Sequence, residues 1–182
     1  YPTLEEVKKR SKDGNLIPIY CELVADLETP VSAFLKVRQG GYSFLLESVD
    51  GGEQLARYSF IGTEPYKVLV TRKGDKIDPL PRVAEELNKY KVVPVSGLPR
   101  FCGGAVGYLA YEAVTRFEEL PSPERDPLDL PESLFMFVDS MLIFDHVTHK
   151  INILSYVHLD GDIEAAYQKA MERIDNLTIR LR

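Results

Sequence analysis

Hydrophobic and polar positions along this chain repeat with two different periods, and the switches between them mark out its elements. Leu16 to Val24 alternates loosely around Pro18, which suits an edge strand better than a central one. From Tyr42 onward, Phe44, Leu46 and Ser48 share one side, while Ser43, Leu45, Glu47 and Val49 share the other. Asp50-Gly51-Gly52 tolerates positive φ and predicts a turn into the aromatic-rich run Arg57 to Ile61, which stops at Gly62. Tyr66 to Arg72 predicts a further strand closed by Lys73-Gly74-Asp75, and Val92 to Val95 is a short β-type run. Ser133 to Asp145 and Lys150 to His158 read as a hairpin of two long strands.

The helical period appears in four places. Thr3 and Glu6 have the capping-box spacing for a helix over 3–13, with Gly14 as its stop. Thr29-Pro30 opens a second, with Ala33, Phe34 and Val37 as its apolar stripe and Gly40-Gly41 at its end. Asp78-Pro79 opens a third to about Tyr90, whose Val83, Leu87 and Tyr90 are spaced to face a core. In the fourth, 162–182, Ile163, Tyr167, Ala170, Ile174, Leu177 and Leu181 form a seam that runs to the last residues, as expected of a domain excised from a longer protein. Antiparallel strands with helices inserted between them predict an α+β fold of packed antiparallel β-sheets, one domain over 1–182.

Composition narrows the function. The 182 residues are 45% hydrophobic and 27% charged, as in ordinary globular domains, and a net charge of −6 with scattered basic residues argues against nucleic acid. No apolar run approaches the roughly 20 residues that span a bilayer, and no signal-peptide pattern opens the sequence. Cys21 and Cys102 lack a disulfide-framework spacing, so free thiols in a cytoplasmic protein are expected.

Candidate chemistry is sparse. The glycines of FCGGAVGYLAYEAV lack the Gly-Lys-Ser/Thr of a phosphate loop and the G-x-G-x-x-G of a dinucleotide site. They predict instead a strand that another backbone or a large aromatic approaches closely, with Tyr108 and Tyr111 as candidate aromatics. His146 and His149 have no companion ligands at zinc spacing, and no nucleophile motif is present. The acidic, proline-rich run Glu118 to Glu132 predicts an extended surface loop. One local oddity remains, the polar pair Glu47-Ser48 closing an apolar strand: either the strand end is wet, or something polar is held there.

Those residues carry a resemblance. LLES at 45–48 followed by RYSFIG at 57–62 resembles the amino-terminal region of the anthranilate synthase component I family. NLIPIYCEL at 15–23, TPVSAFLKV at 29–37, GGAVGYLAYEAV at 103–114 and FDH at 144–146 agree with it in order and spacing. The resemblance implies a tryptophan-biosynthetic lyase that makes anthranilate and pyruvate from chorismate, using ammonia from a glutamine amidotransferase subunit. In that family the Leu-Leu-Glu-Ser segment lines the pocket for the feedback inhibitor L-tryptophan. Carried over, Ser48 supplies the direct contact, Leu46 packs beside it, and Glu47 acts through its backbone or orients a neighbour. Arg57, Tyr58 and Ser59 are further candidates whose alternative is an ordinary amphipathic strand, and Pro18 either approaches the pocket or merely protects a sheet edge. The family's catalytic segment, with its Mg²⁺, lies beyond this chain, so no cofactor is expected here and the chain alone is expected to be inactive. Aminodeoxychorismate synthase component I, with the same fold, is the nearest alternative. A stand-alone small-molecule-binding domain is the other.

Overall fold

The computed structural model describes residues 1–47, 57–75, 77–116, 118 and 128–182. Two antiparallel sheets form its frame. The larger takes its strands in the order β1 (Leu16–Val24), β8 (Lys150–His158), β7 (Ser140–Asp145), β3 (Tyr58–Thr63) and β2 (Ser43–Leu46). The smaller has β4 (Lys67–Thr71), β6 (Ser133–Val138) and β5 (Gly104–Leu109) in that order. Helices α1 (Leu4–Arg10), α2 (Pro30–Val37) and α4 (Ile163–Leu181) accompany the larger sheet, while α3 (Pro79–Leu87) lies against the smaller. This is the expected α+β arrangement. Among the described residues no helix is long and apolar enough to cross a membrane.

Layering follows from the strand pattern. Odd-numbered Ile17, Ile19, Ile151, Ile153 and Val157 pack under the helices with Val7, Ala33, Val37, Ala170, Ile174 and Leu177. Leu16, Leu154, Tyr156, Met141 and Ile143 point the other way and meet Met136 and Val138 of the smaller sheet. Strand β7 is therefore covered on both faces and every residue of it is buried, which is why its sequence reads as nearly continuous apolar. Each such Ile or Leu contributes about 1.5–3 kcal/mol on burial. Pro18 lies in edge strand β1, as its missing N–H requires.

Several expectations need correcting. The run 133–145 is not one strand: it breaks at Asp139, and β6 and β7 belong to different sheets. The Asp139 carbonyl accepts the Tyr156 N–H at 2.8 Å, so the polar Asp-Ser pair marks a crossing and not a ripple in a strand. Helix α1 ends at Arg10 with Ser11 as its cap, short of Gly14, and α2 ends before its glycines. Helix α3 stops at Leu87, which is 39% exposed, and the residues it buries are Pro79 and Glu86. That burial is compensated: Lys67 and Lys89 hydrogen-bond the Glu86 carboxylate and hold its pKa below the ordinary value. Tyr108 and Tyr111 do not approach the glycines; they are 41% and 84% exposed. The run 118–132 falls largely outside the described residues.

The caps at Thr3, Thr29 and Asp78 form as the sequence predicts, and Asp162 caps α4 by accepting the Glu164 and Ala165 N–H groups. Cys21 and Cys102 are free.

Two features hold the region around β3 in place. Arg57 binds Asp145 through two hydrogen bonds, 3.1 and 2.7 Å, across the β3–β7 pair. Asp145 also accepts the Val147 and Thr148 N–H groups at the hairpin turn. The Arg57 guanidinium, with help from those amides, holds the Asp145 carboxyl at about 2. On β5, a Cβ at Gly107 would stand 1.9 Å from the Leu134 carbonyl oxygen and 2.7 Å from the Phe135 Cα, so only glycine fits against β6.

Two outcomes follow from these contacts. Gly107→Ala forces backbone from backbone and costs about 1–3 kcal/mol of stability, read as a lowered urea midpoint. A depressed carboxyl pKa stabilises the fold fully above the unfolded value of 3.8 and loses that stabilisation as pH falls through about 2. Asp145→Asn should therefore melt below the parent at pH 7, with the gap closing as pH falls from 4 to 2. A gap of constant size down to pH 2 would show that charge is not its source.

Candidate functional site

The polar end of β2 sets the site. The strand stops at Leu46, and Leu46 and Glu47 both border a cleft of about 540 Å³. Strict alternation would have sent Glu47 to the opposite face, but alternation holds only inside a pleated strand. Across the cleft floor lie Tyr58 and Phe60 of β3, and Phe101 closes one side with its ring edge-on to Phe60 at 5.0 Å. The far wall is Val106 and Gly107 of β5 with Phe135 of β6.

These groups divide cleanly in chemistry. Three phenylalanines and Tyr58 offer aromatic wall, and the Gly107 backbone borders the space between them. Glu47, exposed at the rim, supplies a carboxylate able to accept hydrogen bonds from an ammonium. The volume lies within the range of small-molecule sites. Such a cleft suits a planar apolar group carrying a positively charged or hydrogen-bond-donating end.

The other sequence candidates are placed as follows. Tyr58 lines the cleft, and the Arg57 guanidinium sits 4.9 Å from its ring centroid. Arg57 itself is engaged with Asp145, so it fixes the Tyr58 ring from behind and does not border the cleft. Ser59 is 1% exposed on the opposite face of β3, where its Oγ lies 2.8 Å from His146 Nε2. Pro18 is buried in β1 opposite Tyr156 and does not border this cleft. Ser48 lies outside the described residues.

Sequence reasoning missed Phe60, Phe101 and Phe135 as wall residues. Gly107 was within reach, since the glycine run already signalled close approach at β5; Phe101 and Phe135 look like any other core aromatics. Among the described residues no group of three or more His, Cys, Asp or Glu side chains gathers to hold a metal ion. Ser59, 1% exposed, is too deeply buried for its pair with His146 to meet a substrate, and neither residue borders the cleft.

The chain also resembles known proteins along most of its length. At 42% identity, anthranilate synthase component 1 of Acetivibrio thermocellus aligns with 97% of this chain. A probable anthranilate synthase component 1 of Schizosaccharomyces pombe is 43% identical over 100% of it. The chain spans about 38% of the length of each. The crystal structure of anthranilate synthase component I from Streptococcus pneumoniae TIGR4 superposes with a TM-score of 0.55 over 86% of this chain and 36% of that one; at 23% identity the likeness is one of fold. The sequence model described as chorismate binding enzyme matches residues 41–181. This chain belongs to the chorismate binding enzyme family.

Proposed function

We propose that this chain is the tryptophan-sensing part of an anthranilate synthase component I. The observation that carries the reading is the Leu46-Glu47 strand end, set at the rim of an aromatic cleft of amino-acid size. The names of the relatives support anthranilate over aminodeoxychorismate as the product of the whole enzyme. L-tryptophan lays its indole against Tyr58, Phe60 and Phe101, and its ammonium hydrogen-bonds the Glu47 carboxylate. Ser48 supplies a hydroxyl at the same strand end. Arg57 and Asp145 hold the Tyr58 wall, and Ser59 with His146 braces β3 from the helix side.

The chorismate chemistry, its Mg²⁺ and the docking of a glutamine amidotransferase component II belong in this reading to the remainder of the enzyme. Tryptophan inhibits by binding one arrangement of this domain against the catalytic part more tightly than the other, since a ligand shifts an equilibrium only through differential affinity. Tryptophan and chorismate then oppose each other reciprocally.

The chain contains no tryptophan residue, so free L-tryptophan can be followed by its own indole fluorescence as protein is added. A saturable rise in anisotropy is expected, and Glu47→Gln should weaken it about tenfold or more by removing a charge-assisted hydrogen bond. Because the family is described by chorismate, chorismate is titrated in parallel; chorismate binding without tryptophan binding would replace the sensor reading by a substrate-binding one. In the full-length enzyme, Ser48→Phe should abolish feedback inhibition and leave uninhibited turnover largely intact. Undiminished sensitivity to tryptophan there would sink the assignment.

A further inference from the structure

Phe101 is a shared wall. On its other side, between the two sheets, lies a second cavity of about 380 Å³. The space is partly open to solvent and is of a size that small-molecule sites have. Its lining is also unlike a core. The rings of Tyr66, Tyr90 and Tyr156 enclose it with Phe101, and His158 stands at the edge of Tyr90, 5.6 Å between centroids.

Asp139 lines the same space, and its carboxylate is close enough to Tyr66 to act on that phenol. It lies 3.4 Å from Arg173 and 3.3 Å from the Ser140 hydroxyl, two long contacts that leave acceptor capacity on its oxygens. Tyr156 presents its ring and not its hydroxyl, which is engaged with Cys102 Sγ at 3.3 Å. Burial first, then the Tyr90 hydroxyl and the carboxylates of Glu86 and Asp139, push the Tyr66 phenol up, so it stays neutral in this space.

We propose that this second cavity is a separate binding site for a planar aromatic amine, with its ring between Tyr90, Tyr156 and Phe101 and its ammonium on the Asp139 carboxylate. The aromatic faces favour a cation as well as a flat ring. An anionic analogue of the same shape is rejected, because its carboxylate would be desolvated beside Asp139. The site is independent of the tryptophan reading, which concerns the cleft on the other side of Phe101.

Tryptamine and indole-3-propionate serve as probes, followed through the backbone amides of the ¹⁵N-labelled chain. Tryptamine should shift the amides of Tyr66, Tyr90, Gly103 and Gly104 saturably, while indole-3-propionate leaves them in place. Asp139→Asn should weaken tryptamine at least about tenfold. Leu87→Phe, at a half-exposed lining position outside both core clusters, narrows the cavity without disturbing the sheets and should block binding if the Asp139 variant fails to fold. The proposal is overturned by an absence of saturable shifts, by shifts centred on Glu47 and Gly107, or by equal binding of the two probes. Failure of L-tryptophan to bind the first cleft would leave these outcomes unchanged.

Discussion

The crossing at Asp139 is the constraint on which the rest of the molecule depends. Strand β6 belongs to the smaller sheet and β7 to the larger, with one residue between them. That short link forces the two sheets face to face, and the hydrogen bond from the Tyr156 N–H to the Asp139 carbonyl fixes where β8 stands relative to the turn. Arg173 ties the same point to α4: it binds the Asp139 carboxylate, the Ser155 hydroxyl and the Tyr156 carbonyl. All three layers meet at one polar residue, and the inter-sheet core closes around it.

Sheets packed this way need large side chains to fill the gap between them, and here aromatics do most of that work at one end. Phe60 and Phe101 meet edge-on, an arrangement worth about 0.5–1.5 kcal/mol beyond the area they bury. Because rings fill space in plates and not in spheres, they leave slots where no neighbour projects. Gly107 cannot fill one slot, since a Cβ there would collide with β6. Gly103 likewise gives way to the Tyr156 ring, which a Cβ would meet at 2.5 Å. Glycines thus let this stretch of chain approach β6 and the Tyr156 ring closely, on either side of the region where Phe101 separates the two clefts.

Charge is handled differently in the two regions. At the β3–β7 pair a bidentate Arg57–Asp145 bridge ties the strand ends together and places the guanidinium over the Tyr58 ring in the wall of the first cleft. Glu47 at the rim remains open to solvent, where an ionised carboxylate carries little desolvation penalty until a cation covers it. Preorganised walls with a solvated charge at the mouth are an economical arrangement for an amino acid, because most of the ordering cost falls on folding and not on binding.

Local pattern decided a good deal by itself. The Thr3, Thr29 and Asp78 caps, the edge position of β1 with Pro18, the buried seam of α4 and the β7–β8 hairpin all depend on neighbours a few residues apart, and the chain shows them directly. The LLES run also marked the polar pair Glu47 and Ser48 as unusual before any fold was known. What the sequence did not decide is every relation between distant segments. The break at Asp139 was hidden because strands on both sides of it are equally apolar. Phe101 and Phe135 gave no sign of facing a cleft, since a wall aromatic and a core aromatic have the same side chain. Ser59 was a candidate by proximity in sequence, yet the pleat turns it to His146 on the other face. A residue's local conformation is set by dihedrals and near neighbours, whereas which side of a sheet stays empty is set by what packs there from elsewhere in the chain, and only the tertiary structure contains that information.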